Sequence, residues 1–176
     1  MWYTPPERGG PMKALCVVFC GLLASAGISA AADNVVKEVR HELLLVPGYT
    51  VFDWLAYRVD GGTVTLLGAV VRADLKRNAE NAVRKVEGVS SVQNDIEVLP
   101  ESARDQRIRL DILTSINKQM SVYLVEEVKR IHIVVKDGNV ALEGQVSSQS
   151  EKQQVGALAQ HAQHVRDVAN NLVIEQ

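Results

Sequence analysis

The chain has 176 residues, of which 47% are hydrophobic and 23% are charged, so its composition is that of a folded protein with one domain or two small ones. The formal net charge of -2 at pH 7 excludes the basic surplus that is typical of nucleic-acid-binding proteins. The same balance excludes a strong general attraction to an acidic membrane.

The first patterned segment is an apolar run over residues 14–28, which follows a lysine and leads into small residues. A basic start, an apolar centre and a small-residue exit are typical of a secretory signal peptide. We therefore predict that Met12 is the natural start and that cleavage occurs near Ala31 or Ala32. The alternative is an uncleaved membrane anchor, which needs about 20 apolar residues and is reached only if residues 27–32 are included.

Both cysteines of the chain, Cys16 and Cys20, lie within this leader. The exported chain would therefore enter an oxidising compartment without a disulfide. It would also lack a thiol nucleophile and a cysteine-ligated metal site. Neither cysteine follows the short motif that precedes the lipidated cysteine of a bacterial lipoprotein, so we do not expect lipid attachment.

The rest of the chain contains an internal repeat. Residues 59–70 align with residues 135–146 without a gap, and the match continues at the same offset almost to the end of the chain. Apolar positions fall on apolar positions throughout. We therefore predict two copies of one module, residues 33–99 and 100–176, behind a leader of residues 1–32.

Each copy has the pattern helix, strand, strand, helix, strand. This order predicts an α+β fold in which two helices cover one face of a three-stranded sheet. In the first copy, Asp33 and Asp74 are the predicted helix N-caps, and Gly88 is predicted to end the second helix as its C′ residue. The spacing of apolar residues predicts the buried side of the first helix: Val35, Val36, Val39, Leu43 and Val46.

In the second copy, Ser102 and Ser148 stand at the predicted helix starts, and Glu151 completes a capping box with Ser148. Glycines recur at turns and within returning strands, where a tight hairpin needs a positive φ. We assign these glycines a structural role: Gly61, Gly62, Gly68, Gly88, Gly138 and Gly144.

The repeated residues resemble the BON domain. The shared pattern is V-x-D-G-x-V-x-L-x-G-x-V, a helix containing lysine, and then G-V-x-x-V-x-N-x-I-x-V. Gly61 stands where the pattern has its aspartate, which the second copy keeps as Asp137, and His164 replaces the glycine that the first copy has as Gly88. Two copies behind a signal peptide resemble the osmotically inducible periplasmic proteins of Gram-negative bacteria.

That resemblance implies a periplasmic protein associated with envelope integrity, osmotic-shock protection and, in some members, phospholipid binding. It implies no catalytic residues and no cofactor. The residues agree, because no G-x-S-x-G nucleophile motif and no phosphate-binding loop is present. His161 and His164 are spaced to share a helical face, but no further ligands complete a metal site, so we predict none.

The outward face of the first copy's sheet is unusually apolar, and the strand pattern places Phe52, Trp54 and Leu67 there. The equivalent face of the second copy is mostly polar: Val128, Arg130, His132, Ala141, Glu143 and Gln145. An apolar patch of this kind marks an interface. Three interpretations stay open: coverage by the second copy or another protomer, contact with lipid or a client protein, and a strand register shifted by one residue.

The sequence therefore predicts a non-catalytic binding protein whose partners are membrane phospholipid or envelope proteins, with self-association as a further possibility and no nucleic acid. The first alternative is a protein-interaction scaffold or chaperone-like module that uses the apolar face. The second is potassium sensing through backbone carbonyls, which would raise the melting temperature selectively with that ion.

Overall fold

The computed structural model describes residues 26–120 and 131–175, with side chains from residue 34 onward. Met12, both cysteines and most of the apolar leader lie outside the described residues, as do Val128 and Arg130 of the second copy's outward face.

Module 1 contains two helices and a sheet in the predicted order. Its elements are α1 (Ala26–Leu44), β1 (Trp54–Asp60), β2 (Thr63–Val70), α2 (Ala73–Val83), β3 (Ser91–Asn94) and β4 (Glu97–Val98). β1 and β2 form an antiparallel hairpin, and β3 and β4 both pair with β2 in parallel. The third strand of the prediction is therefore present but interrupted.

Module 2 repeats this arrangement. Its elements are α3 (Ala103–Gln119), β5 (Ile131–Lys136), β6 (Asn139–Val146), α4 (Gln149–Gln160), β7 (Asp167–Asn170) and β8 (Val173–Ile174). β5 and β6 are antiparallel, and β7 and β8 are parallel to β6. The predicted α+β fold with two repeated modules is confirmed.

The strand register places the predicted residues on the inner faces. Leu55 pairs with Gly68 in module 1, and Ile131 pairs with Gly144 in module 2. Each module has its own core between its sheet and its helices, and the two cores contain equivalent aliphatic residues such as Leu66 and Leu142, each no more than 1% exposed. The interpretation with a register shifted by one residue is therefore wrong.

An asparagine stands at the same break in the third strand of each module. The Asn94 side-chain amide donates to the carbonyl of Lys76 at 2.9 Å, and Asn170 donates to the carbonyl of Lys152 at 2.8 Å. Two residues later, the backbone N–H of Ile96 donates to the Asn94 side chain. The repeated asparagine thus ties the interrupted strand to the second helix.

Three predicted features of module 1 helices are wrong. Helix α1 begins at Ala26 and continues through Asp33, because the alanine-rich residues before Asp33 favour helix. Val36 is 40% exposed and does not belong to the core. The N-cap of α2 is Arg72, and the Asp74 carboxylate accepts the N–H of Leu75 from inside the first turn.

Gly88 has a different role from the predicted C′ position. Helix α2 ends at Val83, and further turns separate its end from Gly88. Gly88 has φ +89°, and a Cβ there would lie 2.8 Å from Cγ2 of Val35 on α1. It therefore allows a close approach of the backbone to α1.

Both predicted serine caps of module 2 are confirmed. The hydroxyl of Ser102 accepts the N–H of Asp105, and the hydroxyl of Ser148 accepts the N–H of Glu151, each at 3.1 Å. The Glu151 carboxylate does not close the predicted box on Ser148, because it accepts the N–H of Ser147 at 2.7 Å instead.

The six glycines assigned a structural role all have positive φ. The tightest of these positions is Gly68, where φ is +112° and a Cβ would overlap the carbonyl oxygen of Trp54 on the paired strand. Only glycine allows the two backbones to approach this closely. Among the described helices, none is long and apolar enough to cross a bilayer.

Candidate interaction sites

Residues 49–54, which lie between α1 and β1 and include the first residue of β1, touch both modules, and we call them the junction segment. The N–H of Ile133 on β5 donates to the carbonyl of Val51 at 2.7 Å. Phe52 is half-buried and packs against the core of module 2. The junction segment therefore covers an edge strand of module 2 with backbone from module 1.

His132 of β5 lies between two aromatic rings of the junction segment. Its ring stacks on Tyr49 at a centroid distance of 5.2 Å and meets the Trp54 ring at 5.1 Å with a tilt of 54°. Its Nε2 lies 3.4 Å from the Tyr49 hydroxyl. His132 is 4% exposed, and burial raises the pKa of Tyr49 to about 12, so the phenol stays neutral.

Buried charges also meet at this junction. Asp53 is fully buried and accepts the N–H of Val71 at 2.8 Å. Arg109 of α3 is 3% exposed and donates to the carbonyl of Val135 at 2.6 Å. Burial lowers the pKa of Arg109, and the carboxylates of Asp105 and Asp53 oppose that shift. Module 1 thus helps to neutralise a cation buried in module 2.

A cleft of about 250 Å³ opens beside this buried charge, where the linker between the modules meets α3. Its lining includes Pro100, Glu101 and Arg109. The carboxylates of Asp105 and Asp53 act against the positive field of Arg109. The charged side chains of the lining are one cation and one anion, Arg109 and Glu101, and this pairing does not favour an anionic ligand.

The structure places the three predicted interface residues in two settings. Phe52 packs against the core of module 2, and the Trp54 ring meets the His132 ring of module 2. Leu67 lies opposite Ala56 on the outward face of the sheet and is half-buried. Binding of an outside partner through these residues stays a prediction.

The sequence pattern did not predict that His132 and Val134 are buried. Both lie on the outward face of β5, and they are 4% and 8% exposed. The signal was the unbroken apolar run from Ile133 to Val135, since a strand buried on both faces lacks alternation. Tyr49 and Arg109 carried no such signal, because their burial depends on docking of the two modules.

The largest exposed apolar side chains of module 1 lie near the end of α1. Leu44 is 54% exposed and Leu45 is 61% exposed. Helical spacing places Lys37 and His41 on the same outward side, and Arg40 lies one turn before Leu44. We call these five residues the α1 face.

The α1 face has no equivalent on α3, the first helix of module 2. Leu110 is 47% exposed there, but Arg107 and Asp111 beside it carry opposite charges. In α1, the acidic residue Glu38 lies on the side of Leu45, and the basic residues lie on the side of Leu44. Module 1 therefore places basic side chains without an acidic neighbour beside an exposed leucine, and module 2 does not.

The histidine pair does not form the arrangement that the spacing allowed. Helix α4 ends at Gln160, so His161 is its C-cap and His164 lies beyond it with φ +67°. The Nδ1 of His161 lies 2.7 Å from the carbonyl of Ala157. Over residues 26–120 and 131–175, no group of three or more His, Cys, Asp or Glu residues is placed to hold a metal ion.

Two docked copies of one αββαβ unit define the chain as a tandem-repeat α+β protein. The family model of the BON domain matches residues 56–100 and 104–176, which together are more than half of the chain. The chain therefore belongs to the BON-domain family, and the resemblance seen in the sequence is confirmed. BON domains are generally non-catalytic binding domains, and the family suggests a phospholipid- or envelope-associated function.

Several solved structures are similar to the chain, and two of them are of the same protein. One is the C-terminal domain of CdsD, a structural protein of the type III secretion system of Chlamydia trachomatis, with 12% identity and a TM-score of 0.34 over 81% of this chain and 98% of that one. A second structure of CdsD gives 12% identity and a TM-score of 0.33 over 80% and 92%. No curated protein matches the chain.

Proposed function

We propose that the chain is a non-catalytic periplasmic protein that supports envelope integrity or osmotic-stress protection by associating with phospholipid. The observation that carries this proposal is the α1 face, where two exposed leucines adjoin three basic or titratable side chains. The periplasmic location is supported by the signal-peptide pattern of residues 13–32, whose end overlaps the start of α1.

The α1 face fits the surface of an anionic bilayer. Lys37 and Arg40 can lie at the headgroups, where each basic residue contributes about 1 kcal/mol. Leu44 and Leu45 can enter the acyl boundary, and each half-exposed leucine contributes about 1 kcal/mol on burial. The sum of about 4 kcal/mol corresponds to a dissociation constant of about 1 mM, so the association is reversible.

The chain's overall charge does not prevent this contact. The net charge of -2 weakens long-range attraction to an anionic bilayer. However, the Debye length is about 10 Å at 0.1 M salt, so each lipid headgroup interacts mainly with the protein charges nearest to it. Binding through the α1 face should therefore weaken as salt is added.

Vesicle co-sedimentation tests the proposal. The full chain is mixed at low salt with vesicles of phosphatidylglycerol and phosphatidylethanolamine, and the bound fraction is compared with that on phosphatidylcholine vesicles. The double variant Leu44→Ser/Leu45→Ser should bind about thirtyfold more weakly, since it removes about 2 kcal/mol and about 1.4 kcal/mol is a tenfold change. Leu110→Ser, which removes an equally exposed leucine from α3, should bind like the unmodified chain.

Two outcomes contradict the proposal. The first is no binding of the unmodified chain at low salt, where electrostatic attraction is strongest. The second is an equal loss of binding in the α1 double variant and in Leu110→Ser, which would show that the leucines act by nonspecific hydrophobic adsorption.

Association with an envelope protein is the second candidate, and Leu67 favours it. This side chain stays half-exposed on the outward face of module 1 beside Ala56, away from the α1 face. Cross-linking of Leu67→Ser and unmodified chains in lipid-free envelope extract distinguishes the candidates. A cross-linked product that Leu67→Ser loses and Leu44→Ser/Leu45→Ser retains would support protein association.

A further inference from the structure

Strand β1 is an edge strand of the module 1 sheet, and half of its backbone faces away from β2. The tight turn closes the hairpin at Asp60, so the hydrogen bonds to β2 come from every second residue counted back from Asp60. The residues between them, Leu55, Tyr57 and Val59, point their N–H and carbonyl groups away from the sheet. The Tyr49 hydroxyl accepts the N–H of Leu55, in agreement with this alternation.

The equivalent edge of module 2 is covered by other parts of the chain. The N–H of Ile133 on β5 donates to the junction segment, and the carbonyl of Val135 accepts from the Arg109 guanidinium. Tyr57 and Val59 occupy the same two positions on β1. Within the described part of the chain, no side chain and no further element bonds to their N–H or carbonyl groups. The same strand edge is therefore covered in module 2 and open in module 1, and an open edge is a template for another strand.

The surface around the open edge of β1 combines an apolar side chain with two cations. On the helix side, the Tyr57 hydroxyl donates to the carbonyl of Val36 at 2.9 Å, and Val36 is 40% exposed. Burial raises the pKa of Tyr57 and the Arg40 charge opposes that shift, so this cation lies close to the edge. On the opposite side of the sheet, Arg58 is exposed, and the acidic Asp60 follows next to the turn.

We propose that the open edge of β1 binds an extended acidic segment of a partner polypeptide as an added strand. The backbone of Tyr57 and Val59 supplies the hydrogen bonds, and Val36, Arg40 and Arg58 select apolar and acidic side chains at alternate positions. The inference does not depend on lipid binding. Arg40 belongs to both surfaces, so the test is made without lipid.

A second copy of the chain does not fit this edge. The hydrogen bond from Tyr57 to Val36 places α1 above β1. If two copies paired through β1, their α1 helices would be separated by about one strand spacing, about 5 Å, whereas packed helices need about 8–10 Å. An extended segment without a helix above it avoids this overlap, so the occupant is a single strand.

Hydrogen exchange measured by NMR on the full chain tests the proposal with a synthetic peptide. The probe is a short blocked peptide in which glutamate and valine alternate. At a peptide concentration about ten times the dissociation constant, the protection factors of the Tyr57 and Val59 amides should rise about tenfold. The Ile133 amide is already bonded to the junction segment and should not change. The same peptide with lysine in place of glutamate should give no such rise.

Charge reversal beside the edge gives a matched pair of variants. Arg58→Glu should weaken binding of the glutamate peptide about fivefold, which is the range expected for exposed ion pairs. Arg77→Glu is the control, because Arg77 is an exposed arginine on α2 of the same module, away from β1. It should bind the peptide like the unmodified chain.

Three results would overturn the proposal. The first is unchanged protection of the Tyr57 and Val59 amides at the highest soluble concentration of the glutamate peptide. The second is an equal effect of the two peptides, or an equal loss in Arg58→Glu and Arg77→Glu, because either result would show that the charges at the edge do not select the segment. The third is protection at Tyr57 that rises with the concentration of the chain alone, which would assign the edge to a second copy.

Discussion

Modules 1 and 2 share one backbone but use different residues to build its strained positions. Gly61 and Asp137 occupy the same turn, each with φ +53°, and Gly88 and His164 occupy the same later turn with φ +89° and +67°. The left-handed conformation therefore belongs to the fold and not to the residue. Glycine accommodates it without strain, and the non-glycine residues of module 2 accept a cost.

The two modules differ more on their surfaces. Module 1 carries the exposed leucines of the α1 face and the junction segment, whereas module 2 supplies His132 and Arg109 that receive this segment. The two copies of the module thus keep equivalent core residues, whereas their outward-facing residues differ and make different contacts. The following substitutions test this division, from the largest expected effect to the smallest.

Gly68→Val should destabilise the chain most, by about 4 kcal/mol, because it adds backbone strain to a direct overlap with the Trp54 carbonyl. Chemical denaturation with urea measures the loss. Gly61→Val is the control, because its Cβ would meet nothing within 4 Å and only the strain of positive φ remains. Equal losses in the two variants would show that the close approach at Gly68 is unimportant.

Phe52→Ala should lower the free energy of unfolding by about 2 kcal/mol, since it removes a half-buried ring from the second core. The loss should appear as faster exchange at the Ile133 amide of module 2, although the substitution lies in module 1. Leu110→Ala, on an exposed helix position, should change stability by less than about 0.5 kcal/mol. If Phe52→Ala leaves hydrogen exchange at the Ile133 amide unchanged, the stability of module 2 does not depend on its contact with Phe52.

Gly88→Ala and His164→Gly should act in opposite directions at equivalent positions. The alanine would strain a positive φ and press on Val35, at a cost of about 1.5 kcal/mol. The glycine would relieve strain in module 2 and stabilise it by about 0.5 kcal/mol. Thermal melts measure both changes, and destabilisation by His164→Gly would show that its side chain has a role of its own.

Swapping the residues of the two modules at the first turn should have the smallest effect on the free energy of unfolding. Gly61→Asp and Asp137→Gly each place in one module what the other already tolerates at the same φ. Each should change the free energy of unfolding by less than about 0.5 kcal/mol. A larger loss in urea denaturation for Gly61→Asp would mean that the two turns are not equivalent.

The sequence was sufficient to predict the repeat, the order of helices and strands, and the strand register. These follow from local patterns, such as the alternation that places Leu55 and Leu66 inward and the serine caps at Ser102 and Ser148. Caps based on Asp33 and Asp74 were wrong, because neighbouring helix-forming residues extended α1 and α2 past them.

The sequence was insufficient to predict which outward-facing residues are covered and which remain exposed. Alternation assigns Trp54 and His132 to outward faces but cannot show that these faces cover each other. The α1 face was missed for a related reason: Leu44 and Leu45 lie outside the predicted apolar stripe, and only packing shows how far such flanking leucines remain exposed. Docking between modules depends on contacts far apart in the chain, which no local pattern encodes.

The docked arrangement of the two modules is tested most directly by nuclear Overhauser contacts at neutral pH. The ring protons of His132 should show contacts with those of Tyr49 and Trp54, as centroid distances of 5.2 and 5.1 Å require. Absence of these contacts in a chain whose two cores are intact would contradict the docking, and with it the role of the junction segment.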